Sequence, residues 1–234
     1  MKTVGIVGGL GPESTIDYYR SIIALYRQRV EDASYPSIVI VSLDVDKALR
    51  LVSANDLPQL AEYFAGSMRK LAAAGADFAL LSANTPHVVF NEVRDLSPIP
   101  LISIVEATCE EVVRRGLKRV SLLGTRFTMS GRFYPEIAGK YGIALVPPSE
   151  EEQAYIHDKY VHQLINGVFL SETRDRLLEI IAIQKQRDRI QGVILAGTEL
   201  PLILRAEAVE GLPLLDTTQI HVQAAVSEML GARL

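Results

Sequence analysis

The sequence predicts an α/β protein made of two pseudo-symmetric lobes, each a parallel β-sheet covered by helices. Strand-like segments alternate with helical ones along all 234 residues. The strand-like segments are continuous apolar runs, as in parallel sheets buried on both faces. The pattern also repeats, because VGIVGGLGP returns as VSLLGTRFT and LLSANTPH returns as LAGTELPL at nearly equal spacing. We therefore expect one lobe from residues 1–104 with 212–234 and another from residues 105–211.

The first half of the chain begins with a strand and then alternates. Apolar runs predict strands at residues 3–8, 37–43, 77–82 and 101–104. A helix is expected over residues 12–30, since Pro12 in its first turn lacks only an N–H that would have no partner there. Asn55 or Asp56 can cap the next helix, which ends at Gly75. A short helix is expected after Pro86.

The second half repeats this alternation and ends in a helix. Strands are predicted at residues 118–124, 143–146, 192–196 and 212–215, and helices near residues 105–116, 131–141, 149–166, 171–187 and 217–230. Open α/β sheets bind ligands beyond the carboxyl ends of their strands. Polar motifs follow four of the predicted strands at such ends. We therefore expect the motifs of the two lobes to point at one another across a cleft.

Composition narrows the class of protein. Hydrophobic residues make up 48% and charged residues 22%, as in soluble globular proteins. The net charge of −4 and the lack of a basic cluster argue against nucleic acid as a partner. No apolar run of about 18 residues predicts a membrane span, and the first residues lack a signal-peptide pattern. The single cysteine, Cys109, cannot form an internal disulfide, which favours a cytoplasmic location.

The strand-end turns are suited to bind a carboxylate. Turns of this kind expose backbone N–H groups, and short hydroxyl and amide side chains add donors. The candidate substrate-binding residues are Gly9, Gly11, Asn84, Thr85, Thr125, Arg126, Thr128, Gly197 and Thr198. The glycine turn contains GxxG rather than GxGxxG, so it does not indicate a dinucleotide. His157 and His162 are spaced by five, which does not predict a metal site.

Several motifs together resemble the cofactor-independent aspartate/glutamate racemase superfamily. They are GIVGGLGPEST at 5–15, NTPH at 84–87, LGTRFTM at 123–129, GTEL at 197–200 and DTT at 216–218 before His221. They follow the order found in that family across nearly the whole chain. The resemblance implies two Rossmann-like lobes and a homodimer. It also implies an isomerase that uses no pyridoxal phosphate or other cofactor and acts on a small amino-acid or carboxylate substrate.

The chain departs from the superfamily at two positions. Racemases of this family typically carry a cysteine before the Asn-Thr of the first motif and before the Thr-Glu of the second. Here these positions hold Ala83 and Gly197. Racemisation needs a group on each face of the substrate carbon that can both accept and donate a proton. Alanine and glycine cannot do so, and a paired-thiol mechanism is therefore excluded.

His87 and Glu199 are the candidate catalytic residues in place of the thiols. His87 is predicted on a first helical turn, where a lowered pKa would favour its neutral, basic form. Glu199 follows Thr198, at a position that commonly holds an acid/base residue in the superfamily. Both have structural alternatives: His87 can bond a backbone carbonyl, and Glu199 can favour a helix N-terminus. Ser82 is a weaker candidate, and structural roles are open for Ser82 and His221.

Three functions stay open at the level of the sequence. The first is amino-acid racemisation by groups other than paired thiols. The second is a cofactor-independent lyase or decarboxylase reaction, for which one proton donor can suffice. The third is a catalytically silent protein that binds a small carboxylate.

Overall fold

The computed structural model describes residues 1–32, 34–206 and 208–231. Within them the chain forms two compact α/β units. The first unit contains residues Met1–Ala107 and the segment from Thr218 onward, and the second contains Thr108–Thr217.

The first unit is built on a four-stranded parallel sheet. Its strands are β1 (Val4–Gly8), β2 (Ile38–Ser42), β3 (Phe78–Leu81) and β4 (Leu101–Ile102), in the order β2-β1-β3-β4. Its helices are α1 (Pro12–Arg29), α2 (Val45–Ser53), α3 (Leu57–Ala73), a 3-10 helix (Thr85–Val89), α4 (Phe90–Leu96) and the start of α5 (Ile104–Arg114). The sheet is parallel, as the continuous apolar runs predicted.

The second unit is built on a five-stranded sheet. Its strands are β5 (Arg119–Gly124), β6 (Ala144–Leu145), β7 (Gly192–Ala196), β8 (Ala208–Val209) and β9 (Leu212–Asp216), in the order β6-β5-β7-β9-β8. Only the short β8 is antiparallel to its neighbour. The helices are α6 (Arg126–Ser130), α7 (Phe133–Lys140), α8 (Glu150–His162), a 3-10 turn (Leu164–Asn166), α9 (Ser171–Asp188) and α10 (Leu200–Ile203). The last helix, α11 (Thr217–Leu230), belongs mostly to the first unit.

Helices cover both faces of the first sheet. Val4 and Ile6 of β1 pack with Tyr18 and Ile22 of α1 and with Val222 of α11. On the opposite face, alternate residues of the same strands pack against α3 and α4 in a cluster that includes Val7, Phe64, Met68, Leu81 and Phe90. Because every residue of β1 and β3 is buried, these strands read as uninterrupted apolar runs.

The second unit has its own core. Leu123 of β5 and Val193 of β7 pack with Ile156 of α8 and with Leu177 and Ile181 of α9. Helix α8 begins with a capping box, in which the Ser149 side chain and the Glu152 side chain each satisfy the other residue's backbone N–H.

The boundary between the units differs from the predicted one. Residues 212–216 were predicted to lie in the first lobe, but β9 pairs with β7 in the second sheet, where Leu195 lies opposite Asp216. The chain joins the first unit only from Thr218, and the start of α5 belongs there as well. An apolar strand must find a sheet partner for its backbone, and the neighbouring β7 provides one.

Some short elements were missed or misplaced by sequence reasoning. Helix α2 follows β2 and is capped by the Asp44 side chain, which accepts hydrogen bonds from the N–H groups of Asp46 and Lys47. The helix predicted over 149–166 ends at His162.

Among the described residues, no helix is both long enough and apolar enough to span a bilayer.

Candidate functional site

The glycine-rich turn after β1 is shaped by close backbone contacts. Gly9 has a φ of 76°, and a Cβ atom there would lie 2.3 Å from the carbonyl oxygen of Leu43. Its N–H donates to Thr15 Oγ1 at 2.9 Å. Gly9, predicted to bind substrate, therefore uses its amide inside the protein. Gly11 is half-buried with a φ of 120° at the start of α1.

Ser82 is a structural residue at the end of β3. Its side chain is fully buried, and its hydroxyl donates to the Val7 carbonyl oxygen at 3.0 Å. The Ser82 carbonyl oxygen in turn accepts from Ser14 Oγ at 2.7 Å. These bonds join β1, β3 and α1 at the strand ends. Among the described residues, no general base contacts the hydroxyl, so a catalytic role for Ser82 is not supported.

His87 does not have the geometry of a proton carrier. The residue is only 2% exposed, and Nδ1–H donates to the Ala83 carbonyl oxygen at 3.1 Å. Its Nε2 accepts from the Ile104 N–H at 3.2 Å. Both ring nitrogens are therefore held by backbone groups. Burial, together with the neighbouring His221, lowers the pKa of His87 to about 3, so the ring is neutral at pH 7.

His221 holds the same region from the C-terminal helix. Its Nε2–H donates to the Ile102 carbonyl oxygen at 3.0 Å, and Nδ1 accepts from the Tyr18 hydroxyl at 2.9 Å. Burial lowers the pKa of His221 to about 4. The two histidines thus form hydrogen bonds with backbone groups at the two ends of the β4–α5 turn, His221 with Ile102 and His87 with Ile104. Both have the hydrogen-bond partners of a structural histidine, which is the alternative left open for each from the sequence.

The other residues of the turn after β3 offer little acid/base chemistry. Asn84 is 5% exposed, and its carbonyl oxygen accepts from the His87 N–H at 3.0 Å. Ala83 and Thr85 are half-buried. Ala83 presents a methyl group where the resemblance implies a thiol. In this turn, the described side chains therefore include no group that is poised to take a proton from a substrate.

The turn after β5 contains a helix cap at Thr125 and the exposed side chain of Arg126. Thr125 Oγ1 accepts from the Thr128 N–H at 3.3 Å and lies 3.2 Å from Thr128 Oγ1. Thr128 is 1% exposed, so its hydroxyl faces the protein interior. The Arg126 N–H donates to His157 Nδ1 at 3.3 Å, while the Arg126 side chain is exposed. Of the predicted substrate-binding residues in this turn, Arg126 is exposed to solvent and Thr125 is half-buried, whereas Thr128 is buried.

The turn after β7 holds a hydrogen-bonded cluster at Glu199. Glu199 Oε2 accepts from Thr198 Oγ1 at 2.8 Å and also from the hydroxyl of Tyr160. Thr198 and Glu199 are half-buried, whereas Tyr160 is 6% exposed. The β5–β7 register sets Gly124 opposite Ala196, so the turns that begin at Thr125 and Gly197 are neighbours. A carboxylate with two hydroxyl donors therefore lies at the same sheet edge as Arg126.

Tyr160 occupies the space beside Gly197. A Cβ atom on Gly197 would lie 2.5 Å from Tyr160 Cε2 and 2.7 Å from its hydroxyl oxygen. Any side chain at position 197 would therefore collide with the phenol. Burial and the adjacent Glu199 raise the pKa of Tyr160 well above its usual value, so the group is a neutral phenol.

Sequence reasoning missed Tyr160 because it treated the segment 149–166 as a polar helix. A signal was present in the spacing. Glu152, Ile156 and Tyr160 recur every four residues, and these three are the buried positions of α8. This periodicity predicts an inward-facing tyrosine, although it does not predict which strand end the hydroxyl reaches.

The other residues considered earlier lie outside these clusters. Cys109 is 1% exposed in α5. His162 is an exposed residue beside Asp158. Within the part of the chain that the structure describes, no group of three histidine, cysteine, aspartate or glutamate side chains is arranged to hold a metal ion.

Comparison with known proteins agrees with this architecture of two α/β units, each with a largely parallel sheet. The sequence model described as Asp/Glu/Hydantoin racemase matches residues 7–225. The broad specificity amino-acid racemase RacX of Bacillus subtilis is 28% identical over 173 residues, which is 70% of each chain.

Solved structures are similar over nearly the whole chain. A proposed Asp/Glu racemase from Yersinia pestis has a TM-score of 0.92 and 29% identity, covering 98% of this chain and 100% of that one. An aspartate racemase homologue from Pyrococcus horikoshii has a TM-score of 0.87 and 30% identity at the same coverage. The protein is thus of the two-lobed α/β racemase type. The chain belongs to the Asp/Glu/Hydantoin racemase family.

Proposed function

We propose that the protein is a cofactor-independent enzyme that moves a proton at the α-carbon of a small amino acid or related carboxylate. Glu199 is the base, and Arg126 with Thr125 binds the substrate carboxylate. The observation that supports this most is the cluster at the end of β7, where the Glu199 carboxylate accepts from Thr198 and Tyr160. The family match and the racemase RacX favour an amino acid as the substrate.

The chemistry requires a base next to a group that stabilises negative charge. Removing an α-proton places charge on the substrate carboxylate, which becomes an enediolate. A nearby guanidinium stabilises that charge. The exposed Arg126 side chain and the half-buried Glu199 start from neighbouring strands. Gly9, Gly11, Asn84, Thr85, Thr128, Gly197 and Thr198 stay predicted substrate contacts, although the internal hydrogen bonds weaken the case for Gly9 and Thr128.

A second candidate function is a lyase or decarboxylase reaction. Ala83 has no proton to exchange, and His87 has both ring nitrogens engaged by backbone groups. An enzyme with one acid/base group can protonate a carbanion from a single face, which suffices for decarboxylation but not for two-base racemisation. The engagement of His87 is the observation that favours this alternative.

The test is hydrogen exchange in D₂O. The protein is incubated with the L- and D-forms of aspartate, glutamate and other amino acids, and with substituted malonates. NMR follows loss of the α-proton and carbon dioxide release, and chiral chromatography follows inversion. Exchange is expected, together with a loss of at least about 10²-fold in the Glu199→Gln variant. No exchange or consumption of any compound would overturn the enzymatic proposal, and thermal stabilisation alone would indicate a carboxylate-binding protein.

A further inference from the structure

The hydroxyl of Tyr160 lies where position 197 would otherwise carry a side chain. A Cβ atom on Gly197 would be only 2.7 Å from this oxygen, and 2.9 Å from the ring carbon that bears it. The oxygen also donates to Glu199 Oε2. A proton-bearing atom from α8 thus replaces the missing side chain of the β7 turn. Within the second unit, the hydroxyl of Tyr160 is therefore placed at the strand end where a group on residue 197 would act.

We propose that Tyr160 is a catalytic residue that relays the substrate's α-proton to Glu199. The inference rests on the proposed function and names the group that acts in it. Gly197 is then explained by the space that the phenol needs. Glu199 is the base that stores the proton, and its half-buried position lets it exchange that proton with water.

The relay balances in protons and charge. As the substrate Cα–H bond breaks, the proton forms a new O–H bond at Tyr160 Oη, and the electron pair stays on the substrate as an enediolate. The proton already on Oη moves to Glu199 Oε2, which changes from carboxylate to neutral acid. Tyr160 begins and ends as a phenol. The reverse sequence returns a proton, or a deuteron from solvent, to the carbon.

The raised pKa of the phenol agrees with a relay in which no phenolate forms. Burial and Glu199 both disfavour the phenolate, which raises the pKa of Tyr160. A mechanism that required a stable phenolate would be opposed by this environment. The relay avoids it, because one proton leaves the oxygen as another arrives.

A tyrosine that only fills space would need only its ring. The Tyr160 ring packs in the apolar cluster with Ile156 and Leu195. The hydroxyl, however, donates to a carboxylate that also accepts from Thr198. A phenylalanine would preserve the ring contacts and would leave the glutamate with one donor fewer. The two roles can therefore be separated by removing one oxygen atom.

The main experiment compares Tyr160→Phe with Tyr155→Phe in the full chain. Tyr155 is the matched control, because it lies on the same helix and its ring faces Lys159 Nζ at 5.5 Å rather than Glu199. Exchange of the α-proton in D₂O is expected to fall by roughly 10²–10⁴-fold in Tyr160→Phe and to stay within about twofold in Tyr155→Phe. Equal exchange rates in Tyr160→Phe and in the parent would overturn the relay.

A fluorinated tyrosine separates relay from positioning. Incorporating 3,5-difluorotyrosine at position 160 makes the phenol more acidic with little change in shape. If the phenol transfers the proton, the exchange rate at pH values where the phenol stays protonated changes with its acidity. If Tyr160 only orients Glu199, that rate stays the same as in the parent, and the catalytic assignment is wrong.

A rescue variant tests whether the phenol replaces a side chain at position 197. Tyr160→Ala removes the phenol and leaves empty space beside position 197, so this variant should be inactive. In Gly197→Cys alone, the new side chain collides with the Tyr160 ring. The double variant Tyr160→Ala/Gly197→Cys places a thiol in the vacated space, and recovery of at least about tenfold over Tyr160→Ala is expected. Thermal melts identify variants that fail to fold, which makes Tyr160→Phe and difluorotyrosine the deciding measurements.

The outcomes separate this inference from the proposed function. If the parent protein exchanges the α-proton and Tyr160→Phe does so at the same rate, the relay fails and the proposed function stands. If the parent neither exchanges nor consumes any compound of the panel, the proposed function fails and the relay fails with it. Loss of exchange in both Glu199→Gln and Tyr160→Phe, with Tyr155→Phe active, supports both.

Discussion

The phenol of Tyr160 fills the position into which a side chain on Gly197 would extend, with Cε2 2.5 Å from the Cβ position. The two residues come from different elements, α8 and the end of β7. Each explains the other, because the glycine leaves room for the ring and the ring excludes any larger residue. This relationship makes position 197 a packing constraint as well as a strand-end turn.

Substituting Gly197 by alanine is expected to destabilise the fold. The added methyl group must displace the Tyr160 ring or the backbone, and overpacking of this kind costs about 1–3 kcal/mol. Urea denaturation measures the change. Gly139→Ala is the matched control, since Gly139 lies in α7 with no neighbouring atom within 4 Å of its Cβ position. That control should gain roughly 0.5–1 kcal/mol from helix propensity, and an equal loss at both positions would contradict the packing argument.

Substituting His87 by alanine is expected to reduce stability rather than remove the catalytic group. The Ile104 N–H is buried and donates to His87 Nε2, so the change leaves a buried donor without its acceptor, at a cost of about 1–3 kcal/mol. A cavity beside Phe90, on which the imidazole stacks, adds to that loss.

The measurement combines urea denaturation with α-proton exchange per folded molecule. The exchange rate of the folded fraction is expected to stay close to that of the parent. His162→Ala, at an exposed position of α8, should change neither quantity. A folded, fully stable His87→Ala variant without exchange would reinstate His87 as a proton carrier.

Stability is expected to fall as the pH drops below about 6.5. The pKa of His87 is about 3 and that of His221 is about 4 in the folded protein, both below the value of an unfolded histidine. Between the pKa of an unfolded histidine and the lower pKa values in the folded protein, the unfolded chain binds more protons than the folded one. Lowering the pH through this range therefore decreases the free energy of unfolding. The decrease is complete only below the folded pKa values. Above pH 7 the two residues contribute no pH dependence.

Urea denaturation at pH 7 and pH 5 measures this effect. His221→Gln removes one of the two groups and should give a smaller difference between the two pH values, although the variant is less stable at both. His162→Ala serves as the control for the loss of a histidine at an exposed position. An identical pH dependence in the parent and in His221→Gln would contradict the assignment.

Substituting Arg126 by alanine is expected to weaken substrate binding without loss of stability. The side chain is exposed, and none of the described carboxylates forms an ion pair with it. If the guanidinium binds the substrate carboxylate, KM should rise by about tenfold or more, which corresponds to roughly 1.4 kcal/mol. The control is Arg132→Ala, whose exposed guanidinium pairs with Glu136 instead. An unchanged KM in Arg126→Ala would exclude this role.

Much of the architecture could be predicted from the order of apolar runs. Strands such as Val4–Gly8 and Gly192–Ala196 are buried throughout, so their composition alone indicates parallel sheets. The boundary near residue 212 was wrong, because a five-residue apolar strand fits either sheet and only pairing with β7 decides between them. Helix α2 was missed because its position depends on the cap at Asp44 and on packing against α3.

The amino-acid sequence by itself determined the fold class, the strand-end motifs and the absence of a proton carrier at Ala83 and Gly197, since these depend on residue identity and local pattern. The tertiary structure decided which polar groups are available. It engages both nitrogens of His87 with backbone groups and brings Tyr160 to Glu199. A side chain's hydrogen-bond partners and burial depend on segments distant in sequence, and no local pattern specifies which of those segments will be its neighbours.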